Sequence, residues 1–100
     1  MNTSVYRYRF TEDVRTRDIE SALDVALFSV RTLHGEAKAR MEVGYVFDRA
    51  THTLIVDGAT ACGRSLAKLL TGHLTRQLGE EGFRLDRLER QASSVAEDMA

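Results

Sequence analysis

The apolar residues of this chain repeat with two different periods, and the two alternate along its length. A period of about two residues marks a strand with one buried face. A period of about 3.6 marks a helix with one buried stripe. In residues 4–10, SVYRYRF, the side chains of Tyr6, Tyr8 and Phe10 fall on one side and those of Arg7 and Arg9 on the other. Aromatic residues favour strands, so this is the first strand. The period then lengthens. Ile19, Leu23, Ala26, Leu27, Val30 and Leu33 make one helical stripe. Thr11 and Thr16 precede it as candidate N-caps, and Gly35 follows as a natural stop.

Alternation returns over residues 39–47. Ala39, Met41, Val43, Tyr45 and Phe47 point one way, and Arg40, Glu42 and Gly44 the other. A polar turn at 48–52, DRATH, leads into HTLIVD at 52–57, and the two segments read as an antiparallel hairpin. Residues 58–63, GATACG, form a small-residue loop. A second helix follows, with Leu66, Leu69, Leu70 and Leu74 on one face and a stop near Gly79. His73 and Gln77 fall on that same stripe and are expected as a satisfied polar pair under the sheet edge. Residues 83–88, FRLDRL, alternate until Leu88 breaks the pattern; they read as a strand, with a helix as the alternative.

The order is strand, helix, strand, strand, helix, strand. Two helices laid on one face of a four-stranded antiparallel sheet bury both helical stripes in two layers. The arrangement resembles the βαββαβ ferredoxin-like sandwich of the α+β class, with one domain over residues 1–91 and a disordered tail at 92–100. That fold hosts many unrelated functions. The connection at 11–16 lacks the glycine-rich, arginine-bearing turn of acylphosphatases. There is no CxxC of a metallochaperone and no aromatic cluster of an RNA-recognition motif.

Composition supports a single core. The chain has 100 residues, 43% of them hydrophobic and 29% charged, which suits one globular domain without staples. A net charge of −1 argues against a general polyanion binder, so nucleic acid is an unfavoured partner. The one cysteine, Cys62, cannot form an internal disulfide, and no leader-like or membrane-length apolar run occurs. The expected location is the cytoplasm, away from membranes.

Three places could carry function. The first is the strand-to-helix junction VDGATACGRS. Backbone N–H groups and the positive dipole end at such a junction attract anions. Gly58 and Gly63 would let a ligand approach the backbone, Arg64 would supply a charged fork and Ser65 a hydroxyl. The spacing is not that of a P-loop. Cys62 lies in the same stretch, where a helix N-terminus beside an arginine can stabilise a thiolate. Catalysis would then need a histidine, and the spacing does not say whether His34, His52 or His73 comes near. The alternative is a buried, inert thiol. No histidine or cysteine pair has metal-ligand spacing, so neither a metal nor a cofactor is expected.

The second place is the uncovered sheet face, where Arg7 and Arg9 would sit mid-sheet with Arg40 and Arg84, interleaved with Glu42 and Asp86 around Ile55. Arginines there could meet a nucleic-acid backbone, but single-strand binders stack bases on aromatics, and the tyrosines point the other way. Sheet-to-sheet dimerisation fits the mixed charge. The third is the outer side of the first helix, where Val25 and Phe28 lie opposite the core stripe. The leading expectation is a homodimeric assembly or protein-interaction module without catalysis of its own. The alternatives are an anionic-ligand-binding or catalytic protein using the junction, and a nucleic-acid binder using the arginines.

Overall fold

The computed structural model describes residues 2–91, and the expected tail at 92–100 lies outside them. Seven elements follow one another: β1 (Asn2–Phe10), α1 (Thr16–His34), α2 (Glu36–Glu42), β2 (Tyr45–Asp48), β3 (Thr53–Asp57), α3 (Ala61–Leu78) and β4 (Phe83–Gln91). The class is α+β. The four strands form one antiparallel sheet in the order β2-β3-β1-β4, so the first strand in sequence is central.

Alternation in β1 becomes two chemically different faces. Tyr8 stands between Leu54 of β3 and Leu85 of β4, while Arg7 stands between Ile55 and Asp86. Tyr8, Phe10, Leu54 and Val56 are buried under the helices. The helices supply Ile19, Leu23, Ala26 and Val30 from α1 and Leu66, Leu70 and Leu74 from α3 to the same core. Phe83 at the start of β4 packs against Tyr8 and Phe10, with ring centroids 6.1 and 6.2 Å apart. The Tyr8 hydroxyl donates to the Ala67 carbonyl at 3.0 Å and lies 2.8 Å from the Thr71 hydroxyl. A buried phenol thus keeps its polar end satisfied. Burial pushes its pKa up to about 12, against the lowering hydrogen bond from Thr71.

The segment 39–47 is not one strand. Residues 36–42 form a third helix, α2, and β2 begins only at Tyr45. EAKARME consists of good helix formers and lacks the β-branched residues that a strand of this length would carry. Its alternation of Ala39, Met41 and Val43 is a coincidence of spacing: Ala39 is buried and Met41 is 88% exposed. Gly35, with φ of +91°, separates α1 from α2 in a conformation that side chains rarely adopt. Arg40 and Glu42 therefore belong to a helix and not to the open sheet face.

The structure differs at smaller scale too. Neither Thr11 nor Thr16 caps α1. Arg15 holds the N-cap position without a side-chain cap, and the Thr11 hydroxyl bonds to Asp13. Leu33 continues the core stripe but is 68% exposed, near the end of a 19-residue helix. Gln77 is exposed and His73 only partly covered, so they are not a buried pair. The segment from Phe83 is a strand and pairs with β1 along its whole length.

Candidate functional site

The junction before α3 is shorter than the sequence suggests, because the helix begins at Ala61. Cys62, Gly63, Arg64 and Ser65 are thus residues of its first turns. Two of the N–H donors at this helix end, those of Cys62 and Gly63, already have side-chain partners inside the chain. Thr60 is the N-cap, and its hydroxyl oxygen accepts from the Gly63 N–H at 3.0 Å while donating to the Glu42 carbonyl at 2.9 Å. The Cys62 N–H donates to the Glu42 carboxylate at 3.3 Å. The negative charge that a helix N-terminus favours is supplied from the end of α2. Arg64 donates to the carbonyls of Gly58 and Ala59, both at 3.3 Å.

The two glycines have reasons within the fold. A side chain at Gly58 would run into the Tyr6 ring and the Ser4 carbonyl, and one at Gly63 would run into the Asp57 carbonyl. These are the close approaches that let α3 leave β3 directly. Cys62 is fully buried. Burial, then the hydrogen bond and charge of Glu42, push its thiol above the ordinary range, with only Lys38 acting in the opposite direction. At neutral pH it is a thiol and not the thiolate that nucleophilic chemistry requires.

His34 lies near this junction, at the end of α1. One of its ring nitrogens, Nε2, lies 2.9 Å from the Ser65 hydroxyl. A serine and a histidine at that separation have nucleophile–base geometry. A third group that orients the ring is missing among the described residues: nothing pairs with Nδ1. The contact ties the end of α1 to the start of α3. His52 and His73 lie elsewhere, on the β2–β3 turn and on α3. Among the described residues no group of three His, Cys, Asp or Glu could hold a metal ion, and no helix is long and apolar enough to cross a membrane.

The open sheet face is built differently. Three guanidiniums, from Arg7, Arg9 and Arg84, converge on one carboxylate, Asp86, at 3.2, 2.9 and 3.7 Å. Asp86 is held below the ordinary carboxylate range by its hydrogen bond with Arg7 and by the three positive charges, over a smaller opposing effect of burial. The Arg7 Nε is buried without a hydrogen-bond partner among the described residues. Beside this cluster runs an apolar band. Val46 of β2 sits next to Ile55 of β3, and Val5 next to Leu88 of β4. Val46, Ile55 and Leu88 are 65, 38 and 41% exposed. Asp48 of β2 and Asp57 of β3 lie on opposite sides of the Val46–Ile55 pair, Asp57 beside Val5. Each accepts a backbone N–H, from Ala50 and Ala59 at 2.9 Å, and neither makes an ion pair among the described residues.

Val25 and Phe28 are exposed on the outer side of α1, on the opposite layer from the sheet face. The sequence-selected residues are therefore not brought to one place. Cys62, Gly63, Arg64 and Ser65 cluster with Gly58 at the junction; Arg7, Arg9 and Ile55 share the open face; Val25 and Phe28 stand apart. Sequence reasoning missed Glu42, because assigning it to a strand hid its position beside α3. Helix propensity over 36–42 was the signal that would have found it. No protein-family model matches the chain, and no curated protein matches it in sequence.

Proposed function

We propose that the chain is an assembly module that pairs with a second copy of itself through the open face of a ferredoxin-like sandwich. The strand order β2-β3-β1-β4 with β1 central supports this reading, in which α2 is an addition between α1 and β2. The buried Cys62, its thiol raised above the ordinary range, and the helix end capped by Thr60 and Glu42 give no support to catalysis. A single reduced thiol suits the cytoplasm.

One observation carries the reading: the two halves of the open face are complementary in charge. The β1–β4 half holds three arginines around a single aspartate. The β2–β3 half holds Asp48 and Asp57, neither in an ion pair among the described residues. A two-fold axis parallel to the strands, between β1 and β3, sets each half against the other. Asp48 of one copy then meets Arg84 of the second, and Ile55 meets the stem of Arg7. The same axis sets Asp57 against Val5 and Val46 against Asp86, so Asp48 with Arg84 carries the charge match and Ile55 the apolar contact. Such self-complementarity is what a two-fold interface requires.

Sedimentation over a wide concentration range tests this. The expected species is a dimer, with Ile55→Asp weakening association at least about tenfold by placing a charge in the band. Asp48→Arg and Arg84→Asp should each weaken pairing, and the double variant should recover part of it. A monomer at every concentration, or a dimer indifferent to all of these changes, overturns the proposal.

A further inference from the structure

A separate cavity lies on the helix side of the molecule, at the edge strand β2. Its volume is about 290 Å³. It exists because Gly35 ends α1 and turns the chain into α2, which then crosses beside a strand of only four residues. Leu27 and Ala39, 8 and 3% exposed, line its apolar side together with Val43, and Tyr45 supplies an aromatic wall. Its charged lining is two guanidiniums, Arg31 and Arg40, and one carboxylate, Glu36. Arg31 of α1 has no partner among the described residues. Arg40 of α2 faces Glu36 at 3.6 Å, with both side chains more than 70% exposed. An ion pair that open to water is weak and yields readily to a competing anion.

We propose that this cavity binds a small organic anion with a compact apolar body. The charged head would sit between Arg31 and Arg40, and the body would lie on Leu27, Ala39, Val43 and the Tyr45 ring. The volume sets the size: at the ~30 Å³ that one water occupies, it holds on the order of ten heavy atoms. Sites of this kind combine an apolar lining with a few convergent polar groups. A guanidinium binds a planar carboxylate or a phosphate through paired hydrogen bonds, so either head satisfies the geometry. The inference does not rest on pairing through the sheet, which uses the opposite face.

Amide NMR titration of the full chain decides it, with phenylacetate and phenyl phosphate as probes of the two heads. Inorganic phosphate and 2-phenylethanol report the head and the body alone. The expected result is saturable shifts at Leu27, Ala39 and Val43 with one or both organic anions, at least about tenfold tighter than with either control. Arg31→Ala should weaken binding about tenfold. Glu36→Gln frees Arg40 and should tighten binding, a gain that loss of fold cannot imitate. The proposal fails if neither organic anion saturates by ~10 mM, if inorganic phosphate binds equally well, or if both variants bind as the parent chain does.

Discussion

The two faces of the sheet are made by the same strands, from alternate residues, yet they are held by different physics. Under the helices, Tyr8, Phe10, Leu54 and Val56 lose nearly all contact with water, and stability there comes from close packing. On the open face Arg7, Arg9, Arg84 and Asp86 remain partly hydrated, and their attractions are screened. The covered face therefore sets whether the chain folds, whereas the open face is free to be selected for what it meets. Val46, Ile55 and Leu88 mark that freedom, because a face needed only for solubility would not keep an apolar band.

The comparison can be broken most forcefully from the covered side. Leu70→Ala removes a fully buried side chain and should cost about 2–5 kcal/mol in urea unfolding. A loss much smaller than that would mean the helical layer carries less of the stability than its burial implies. Tyr8→Phe is a finer probe of the same face. It keeps the ring and removes a hydroxyl bonded to Ala67 and Thr71, so about 1 kcal/mol is expected near neutral pH. The sign with pH follows from the raised pKa. The phenol's stabilising contribution is whole below about 10, where the unfolded chain ionises, and is lost as the pH rises towards about 12. The gap between Tyr8→Phe and the parent should close over that window.

The smallest effect belongs to the open face. Asp86→Asn at monomeric concentration should destabilise less than Tyr8→Phe, because the ion cluster is partly in water. Asp86 is held below the ordinary carboxylate range in the folded chain. Its contribution is thus present above that range and lost as the pH falls through the lowered value. Unfolding at neutral and at acid pH checks this: the parent and Asp86→Asn should converge in acid. An Asp86 effect as large as that of Leu70 would erase the distinction between the faces.

These faces were also unequally legible. Strict alternation in residues 4–10 and the leucine stripe of α3 carry their own geometry, since a period sustained over several pleats or turns seldom arises without the matching strand or helix. Residues 39–43 fit a strand period over only three apolar positions, too few to outweigh the helix propensity of EAKARME. Losing α2 hid two things at once: the Glu42 carboxylate at the start of α3, and the cavity beneath Arg31 and Arg40. The junction's glycines and cysteine were visible, but their reasons were not. What Gly63 avoids is the Asp57 carbonyl, a contact made only when the helix folds back on the strand. The open face was predicted as far as Arg7, Arg9, Arg84, Asp86 and Ile55. Its complementary halves depend on strand order, which periodicity does not state.

The pairing of β1 with β4 has a consequence for how the chain comes to be folded. Asn2 lies beside Gln91 and Phe10 beside Phe83, so among the described elements this central strand is synthesised before the others and its outer neighbour after them. Contacts this distant in sequence close slowly, because most of the loop entropy is spent before they form. Until β4 arrives, a nascent chain can complete a hairpin and lay α1 on α3, but one edge of β1 stays open. An open edge pairs with whatever strand is nearest. At high concentration during synthesis, that strand is the same segment of another copy, and crowded expression is where this protein should first show misassembly.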